Sequence, residues 1–137
     1  MKLATSDPEI ARCYPVVVQL RPHLSEDAFV PTVRRQQLGG YELAFVEDEG
    51  EVAAVAGFRV LDNLFAGRML YVDDLVTDER RRSKGFGKAL FDDLVEHACA
   101  NGCLTLELDS GVQRFDAHRF YLSNRMAITS HHFRLKL

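Results

Sequence analysis

The chain contains no tryptophan and only three cysteines and four prolines among its 137 residues. The cysteines are odd in number and show no C-x-x-C spacing, which argues against a disulfide framework or a zinc knuckle and predicts reduced, mostly buried thiols. No apolar run approaches the ~18 residues of a membrane span, and residues 1–7 lack the apolar run of a signal peptide. These absences predict a soluble, cytoplasmic protein without a membrane partner.

Positive charge is also scarce overall, since the formal net charge is -3. A non-specific nucleic-acid binder neutralises many phosphates and usually spreads basic residues over one face. This chain shows a single short basic segment without interleaved aromatic residues, so we expect no nucleic-acid partner. Its length and its 47% hydrophobic content predict one globular domain, residues 1–137, with a substantial core.

The basic segment is the most informative part of the chain. Five cations fall within nine residues: Arg80, Arg81, Arg82, Lys84 and Lys88. Residues 82–87, R-S-K-G-F-G, join a strand-like run to an amphipathic helix. A strand that turns through glycines into a helix exposes unpaired N–H groups at the positive end of the helix dipole, which favours phosphate binding. The alternative is a glycine-containing loop with a solvated, basic helix start.

Hydrophobic periodicity predicts an alternation of helices and strands around this loop. The predicted helices are 7–21, 25–38, 86–100 and 115–123, and the predicted strands are 41–46, 52–60, 68–76, 103–109 and 128–137. The strand, helix and strand around the loop predict a right-handed crossover between parallel neighbours, with the loop at their carboxyl ends. His131 and His132 would face opposite sides of the last strand, so we predict no metal site there.

Two sequence landmarks resemble one enzyme superfamily. The run D-D-L-V-T-D-E-R-R-R-S-K-G-F-G-K-A-L from Asp73 to Leu90 is similar to the acyl-CoA-binding motif R/Q-x-x-G-x-G/A of the GNAT N-acetyltransferases. The run D-A-H-R-F-Y-L from Asp116 to Leu122 resembles the second landmark of that superfamily, an alanine shortly before a helical tyrosine. The stretch around it is especially similar to aminoalkylphosphonate and related small-amine acetyltransferases.

The resemblance implies an α/β fold in a single domain. Its sheet would be mixed and mainly antiparallel with a central parallel strand pair, and helices would cover both faces. It also implies acetyl-CoA as a co-substrate and direct transfer of the acetyl group to a primary amine. Dimers are common in the superfamily, so a homodimer is an expectation of the resemblance, although the sequence marks no interface.

Carried onto this sequence, the motif implies a binding surface for coenzyme A. Backbone N–H groups of residues 83–88 would bind the pyrophosphate, and Arg82 would close over it. In the family, the pantetheine arm pairs with the strand that precedes the loop. The implied cofactor-binding residues are Leu75, Val76, Thr77, Arg82, Ser83, Lys84, Gly85, Phe86, Gly87 and Lys88.

Acetyl transfer to an amine needs a group that accepts the amine's proton and a group that protonates the departing thiolate. Asp73, Asp74 and Glu107 are the carboxylates on the two strands that flank the expected cleft. Side chains alternate along a strand, so Asp73 and Asp74 are not expected to share one face. The resemblance favours Asp74, which matches the acidic residue that often precedes leucine in the strand motif of the family. Tyr121 is protonated at neutral pH and is the candidate proton donor. The alternative is that Tyr121 only fills the core.

One position departs from the family pattern. Arg125 and Met126 follow the tyrosine helix where the family has glycine and an aromatic residue. We expect Asn124 to adopt the left-handed conformation that ends this helix, one residue early.

The sequence therefore predicts an acetyl-CoA-dependent N-acetyltransferase that acts on a small-molecule primary amine. Two alternatives stay open: a non-catalytic acyl-CoA-binding sensor or interaction domain, and an enzyme that acetylates protein N-termini or lysines. A nucleotide-binding P-loop is disfavoured because Ala89 stands where its hydroxyl residue belongs. The acceptor, the preferred acyl chain and the assisting carboxylate are left undetermined.

Overall fold

The structure is a computed structural model and describes residues 1–137. The chain divides into two units, residues 1–107 and residues 108–137. The elements in chain order are β1 (Lys2–Leu3), α1 (Asp7–Leu20), α2 (Glu26–Gln37), β2 (Tyr41–Asp48), β3 (Glu51–Asn63), β4 (Gly67–Thr77), a short 3₁₀ helix (Glu79–Arg81), α3 (Phe86–Ala100), β5 (Thr105–Leu108) and α4 (Phe115–Ser123).

Five strands form one sheet in the order β1-β2-β3-β4-β5. The first four strands pair antiparallel, and β4 and β5 form the parallel pair that the crossover through α3 predicts. Between β2 and β3, Glu49 and Gly50 both have positive φ, 51° and 83°, as a two-residue hairpin turn requires. The mixed, mainly antiparallel sheet confirms the predicted fold class.

Helices cover both faces of this sheet. Phe45 of β2 and Val55 of β3 belong to a buried cluster with Ile10 of α1 and Phe29 of α2. Phe58 of β3 points to the opposite face, where its ring meets the His97 imidazole of α3 at 5.2 Å. Two apolar layers therefore hold the sheet between α1 and α2 on one face and α3 on the other.

The first helix begins at a capping box. The Glu9 backbone N–H donates to the Ser6 side chain at 3.4 Å, and the Glu9 carboxylate accepts from the Ser6 backbone N–H at 2.9 Å. These bonds satisfy donors that an uncapped helix leaves exposed. The hydrogen bonds from Ser6 and Thr5 hold the pKa of Glu9 at about 2, below its ordinary value. In contrast, α3 starts at Gly85 without a side-chain cap.

The predicted C-terminal strand is wrong. Residues 125–137 form no helix or strand, although Phe133, Leu135 and Leu137 alternate with polar residues as a strand would. The side chains of Phe133 and Leu135 are 89% and 84% exposed. An extended segment becomes a strand only when a neighbouring strand takes its backbone hydrogen bonds, and local alternation cannot supply that neighbour.

Two smaller expectations also changed. The strand after α3 covers only residues 105–108, because Gly102 with a φ of 69° and Cys103 still belong to the turn that ends α3. Only Cys13 is buried, whereas Cys99 is exposed and Cys103 is half-buried, so the thiols are not mostly buried. None of the helices combines the length and the apolar character that crossing a bilayer requires.

Candidate active site

The loop that follows β4 is fixed by a buried carboxylate. Asp78 is fully buried and accepts hydrogen bonds from the Arg80 backbone N–H at 3.1 Å and the Arg80 guanidinium at 2.7 Å. Gln19 of α1 also donates to Asp78 at 3.4 Å and accepts from the Glu79 N–H at 3.0 Å. The bonds from Arg80 lower the pKa of Asp78 to about 2. The chain therefore leaves β4 in a fixed direction before it reaches the glycines.

The glycine loop, residues 82–88, presents main-chain donors at the start of α3. The first intrahelical bond runs from the Ala89 N–H to the Gly85 carbonyl at 2.9 Å. The N–H groups of Phe86, Gly87 and Lys88 therefore have no partner within the helix, and no side chain caps them. These donors lie at the positive end of the helix dipole, a geometry that favours an anion.

The two glycines of this loop serve different purposes. Gly85 has a φ of 89°, a conformation that L side chains rarely adopt, and a Cβ there would meet no atom within 4 Å. Gly87 lies inside the helix, where a Cβ would be 2.7 Å from the Thr77 hydroxyl oxygen. Gly85 permits the turn and leaves open space beside the backbone, while Gly87 lets the helix approach the end of β4.

The five cations of the segment fall into two groups. Arg80 and Arg81 pair with Asp78 and Asp48, and Lys88 pairs with Asp92 one helical turn away. Arg82 and Lys84 are exposed and form no ion pair with a carboxylate. The structure thus leaves Arg82 and Lys84 as the cations available to an anion at the glycine loop.

Leu75, Val76 and Thr77 lead directly into the loop and pair with β3 on one side. On the other side, the Leu104 N–H donates to the Arg68 carbonyl at 2.7 Å, so β5 begins beside the start of β4. β5 has four residues and β4 has eleven, so a parallel register brings β5 to its end before Leu75. The three predicted pantetheine-binding residues therefore lie past the last residue of β5.

A β-bulge changes the geometry of the two predicted carboxylates. Gly57 of β3 faces Asp74 and Phe58 faces Val72, so Asp73 is the extra residue on β4. Bulges interrupt the alternation of side chains. Asp73 and Asp74 therefore follow each other at an irregular point of the strand, and each carboxylate accepts a hydrogen bond from a different arginine.

This carboxylate cluster consists of Arg21, Tyr41, Arg59, Asp73 and Asp74. The Arg21 Nε donates to Asp74 at 2.7 Å, and the Arg59 Nε donates to Asp73 at 2.8 Å. The Arg59 guanidinium lies 5.5 Å from the centre of the Tyr41 ring, and the Tyr41 hydroxyl donates to Asp74 at 3.4 Å. Burial and the nearby Asp74 raise the pKa of Tyr41 above its ordinary value, so its hydroxyl stays protonated.

Asp74 borders a cavity of about 240 Å³ between β4 and the first two helices. Val17 of α1 and Phe29 and Val33 of α2 form part of its apolar wall. Its polar lining residues are Arg21, His23, Thr32, Gln36, Tyr41 and Asp74. Asp73 does not line the cavity, and Glu107 lies outside it and accepts a hydrogen bond from Thr105 at 3.0 Å.

The sequence analysis did not identify several residues of this region, among them Arg21, Tyr41 and Gly57. Arg21 follows the last residue of α1, Tyr41 begins β2 and Gly57 lies within β3, so they are distant in sequence from Asp74. A Cβ on Gly57 would stand 1.9 Å from the Tyr41 hydroxyl oxygen, which shows that this glycine makes room for Tyr41. No local pattern marks these residues, because their proximity depends on strand register and on helix packing.

Tyr121 lies on α4 in the second unit and is half-buried. Its ring contacts the Phe120 ring at 5.5 Å in an edge-on arrangement. Burial raises the pKa of Tyr121 above its ordinary value, so the phenol is protonated at neutral pH. No residue of α4 is fully buried.

The end of α4 corrects the expectation for Asn124. Asn124 has a φ of -92°, while Arg125 has a φ of 64° and takes the left-handed position. The Arg125 N–H donates to the Leu122 carbonyl at 3.0 Å, and the Met126 N–H donates to the Tyr121 carbonyl at 3.1 Å. These two bonds form a Schellman motif, which places its left-handed residue at the position where the family has glycine.

Comparison with known proteins decides the family. The sequence profile of the Acetyltransferase (GNAT) family matches residues 9–125, which include the glycine loop, Asp74 and Tyr121. The chain belongs to the GNAT family of acetyltransferases. The family match confirms the resemblance predicted from the glycine loop and the tyrosine helix.

Relatives extend this assignment to acetylation of nitrogen. The chain is 35% identical over 130 residues to an uncharacterized N-acetyltransferase, YhdJ, of Bacillus subtilis, covering 94% of this chain and 91% of that protein. It is 33% identical over 88 residues to glucosamine 6-phosphate N-acetyltransferase 1 of Oryza sativa, covering 60% of this chain and 53% of that protein. The GNAT protein described here is therefore an N-acetyltransferase.

A solved structure supports the same fold. An aminoglycoside N-acetyltransferase in complex with CoA superimposes with a TM-score of 0.84, at 12% sequence identity, over 97% of this chain and 91% of that chain. At this level of identity the likeness concerns the fold alone.

Proposed function

We propose that this GNAT enzyme transfers the acetyl group of acetyl-CoA directly to the primary amine of a small molecule. The observation that carries the proposal is the glycine loop, where three backbone N–H groups without helical partners lie beside two unpaired cations. A diphosphate ester matches both the donors and the charge. The family match and the relatives named as N-acetyltransferases support the reaction type.

The residues around the loop fit coenzyme A. The open space beside Gly85 admits phosphate oxygens close to the backbone, and Arg82 and Lys84 can neutralise their charge. Leu75, Val76 and Thr77 form the end of β4 ahead of the loop and lie past the last residue of β5. Acetyl-CoA supplies a thioester, which gives its acetyl group to an amine and leaves as a thiol.

Asp74 and Tyr121 are the proposed catalytic residues. The Asp74 carboxylate lines the small cavity, so it can attract an ammonium group and accept its proton, directly or through water. The three residues 75–77 separate Asp74 from Asp78, an extended length of about 10 Å. Tyr121 holds a phenolic proton at neutral pH, since burial raises its pKa, and can give it to a thiolate.

Two measurements test the proposal. Calorimetry with acetyl-CoA should show micromolar binding, and a panel of amines incubated with acetyl-CoA should release free thiol. Heat on binding without thiol release from any amine would favour a non-catalytic acyl-CoA-binding domain. Absence of binding heat would contradict both the cofactor site and the reaction.

Tyr121→Phe isolates the proposed proton donor. Loss of the phenolic proton should lower kcat about 100-fold, within the range that general acid catalysis provides, and leave acetyl-CoA affinity unchanged. Tyr14→Phe is the matched control, because the half-buried Tyr14 donates to the Leu24 carbonyl at 3.1 Å and has no proposed role in catalysis. Unchanged turnover in Tyr121→Phe would assign Tyr121 a structural role.

A further inference from the structure

The cavity beside Asp74 limits the size of its occupant. Its volume is about 240 Å³. Helices α1 and α2 close one side with apolar side chains, and the carboxylate cluster supplies charge on the other. A cavity of this size suits a compact molecule.

The charges in this cavity are already balanced. Asp74 pairs with Arg21 at 2.7 Å, and Arg21 also donates through its Nη2 to the Asp73 carbonyl at 3.0 Å. Behind them, Asp73 pairs with Arg59 at 2.8 Å. An amine that carries only positive charge must compete with Arg21 for Asp74 and would leave that guanidinium without an anion.

A molecule with both charges avoids this cost. Its ammonium can bind Asp74 while its anionic group binds Arg21, so each member of the ion pair exchanges one partner for another. The bonds made by Arg21 through Nε and Nη2 leave both N–H groups of Nη1 available for an anion. The Arg21 side chain is 44% exposed, so its guanidinium is accessible from the cavity.

The remaining polar lining residues can donate hydrogen bonds. Thr32 and Gln36 lie four residues apart on α2 and therefore on one face. The side-chain oxygen of Gln36 already accepts from Arg59 at 3.3 Å, so its NH₂ group remains to donate. The Thr32 hydroxyl, the His23 ring and the Arg21 guanidinium can donate as well, and Asp74 is the charged acceptor. This arrangement fits several anionic oxygens and one ammonium.

We propose that the acceptor is a compact primary amine that also carries an anionic group, either a carboxylate or a phosphoryl group, and that Arg21 determines this preference. Arg21 acts as a specificity-determining residue that binds the anion while Asp74 binds the amine. This inference rests on the proposed acetyl transfer. It excludes simple monoamines and polyamines as preferred acceptors.

Matched pairs of amines test the preference through thiol release. The pairs are β-alanine with β-alaninamide, 2-aminoethylphosphonate with ethylamine, and glucosamine 6-phosphate with glucosamine. We expect kcat/KM of the anionic member to exceed that of its partner at least about tenfold. The pair with the larger ratio shows whether a carboxylate or a phosphoryl group is the preferred anion. If the amines without an anionic group are turned over equally well or better, the inference is overturned while acetyl transfer stands. Acetyl-CoA binding without turnover of any amine defeats the proposed function and this inference with it.

Arg21→Gln tests the residue itself. Loss of the charged partner should lower kcat/KM for the anionic amine about 10- to 100-fold more than for its neutral partner, with no change in KM for acetyl-CoA. Arg12→Gln is the matched control, since Arg12 lies on α1, is equally exposed at 44% and pairs with Glu47 outside the cavity.

The same experiment includes controls for folding and for the possibility that Arg21 only positions Asp74. Thermal unfolding and acetyl-CoA binding check that each variant is folded, and Arg21→Lys, which keeps the charge, should recover part of the lost preference. An equal loss for both amines of a pair would mean that Arg21 only positions Asp74, which overturns the assignment.

Discussion

The middle of β4 and its carboxyl end carry two different kinds of site. In the middle, the side chains of Asp73 and Asp74 meet arginines and a tyrosine from other elements. At the end, the glycine loop presents main-chain N–H groups within one continuous segment. Main-chain donors offer the same chemistry whatever the acceptor, whereas side chains can be changed to suit one acceptor. The difference suggests that a family can keep one cofactor site and vary the other.

The largest expected effect breaks the main-chain site. In Gly87→Val, the new Cβ meets the Thr77 hydroxyl at 2.7 Å and forces α3 or Thr77 to move. We expect acetyl-CoA affinity, measured by calorimetry, to fall about 100-fold, or about 2.7 kcal/mol, irrespective of the amine.

Gly39→Val is the matched control for Gly87→Val. A Cβ at Gly39 has an ordinary contact of 3.4 Å to the Gln36 carbonyl, and its φ is not positive. Its acetyl-CoA affinity should equal that of the unchanged protein. Equal affinity in all three proteins would contradict the role assigned to the close approach of α3 and β4.

A second variant tests the support beneath the glycine loop. Asp78→Asn removes the charge that binds Arg80 and should lower the free energy of unfolding by about 2 kcal/mol at pH 7, measured by urea denaturation. The folded pKa of Asp78, about 2, lies below its ordinary value of 3.8. The ionised carboxylate therefore stabilises the fold above about pH 4, and this contribution is lost as the pH falls through about 2.

The pH profile provides the control for Asp78→Asn. The variant should lose less stability between pH 4 and pH 2 than the unchanged protein, because it lacks the titrating group. Parallel profiles for the two proteins would show that Asp78 does not contribute in this way.

The smallest expected effect concerns the side-chain site. In Gly57→Ala, the new methyl group lies 1.9 Å from the Tyr41 hydroxyl oxygen and displaces Tyr41 from Asp74. We expect kcat/KM for the amine to fall about tenfold, or about 1.4 kcal/mol, with unchanged acetyl-CoA affinity. A loss of acetyl-CoA affinity as large as that of Gly87→Val would remove the distinction between the two sites.

Much of the fold could be predicted because its helices and turns depend on residues that are close together in the sequence. Apolar spacing and turn residues predicted α1 to α4 to within about two residues and the crossover through α3. The same local pattern failed at residues 128–137, which alternate like a strand but pair with no strand. It also failed at Asn124, since the hydrogen bonds that end α4 place Arg125 in the left-handed conformation.

The two candidate sites also differ in whether neighbouring residues of the chain are enough to predict them. The sequence by itself determined the glycine loop, because its glycines, cations and helix start are neighbours in the chain and main-chain donors need no distant partner. Only the tertiary structure decided the carboxylate cluster, because Arg21, Tyr41 and Gly57 reach Asp74 through helix packing, strand register and a bulge that adds one residue to β4. Contacts between distant residues follow from the packed sheet, and no short segment of the chain encodes them.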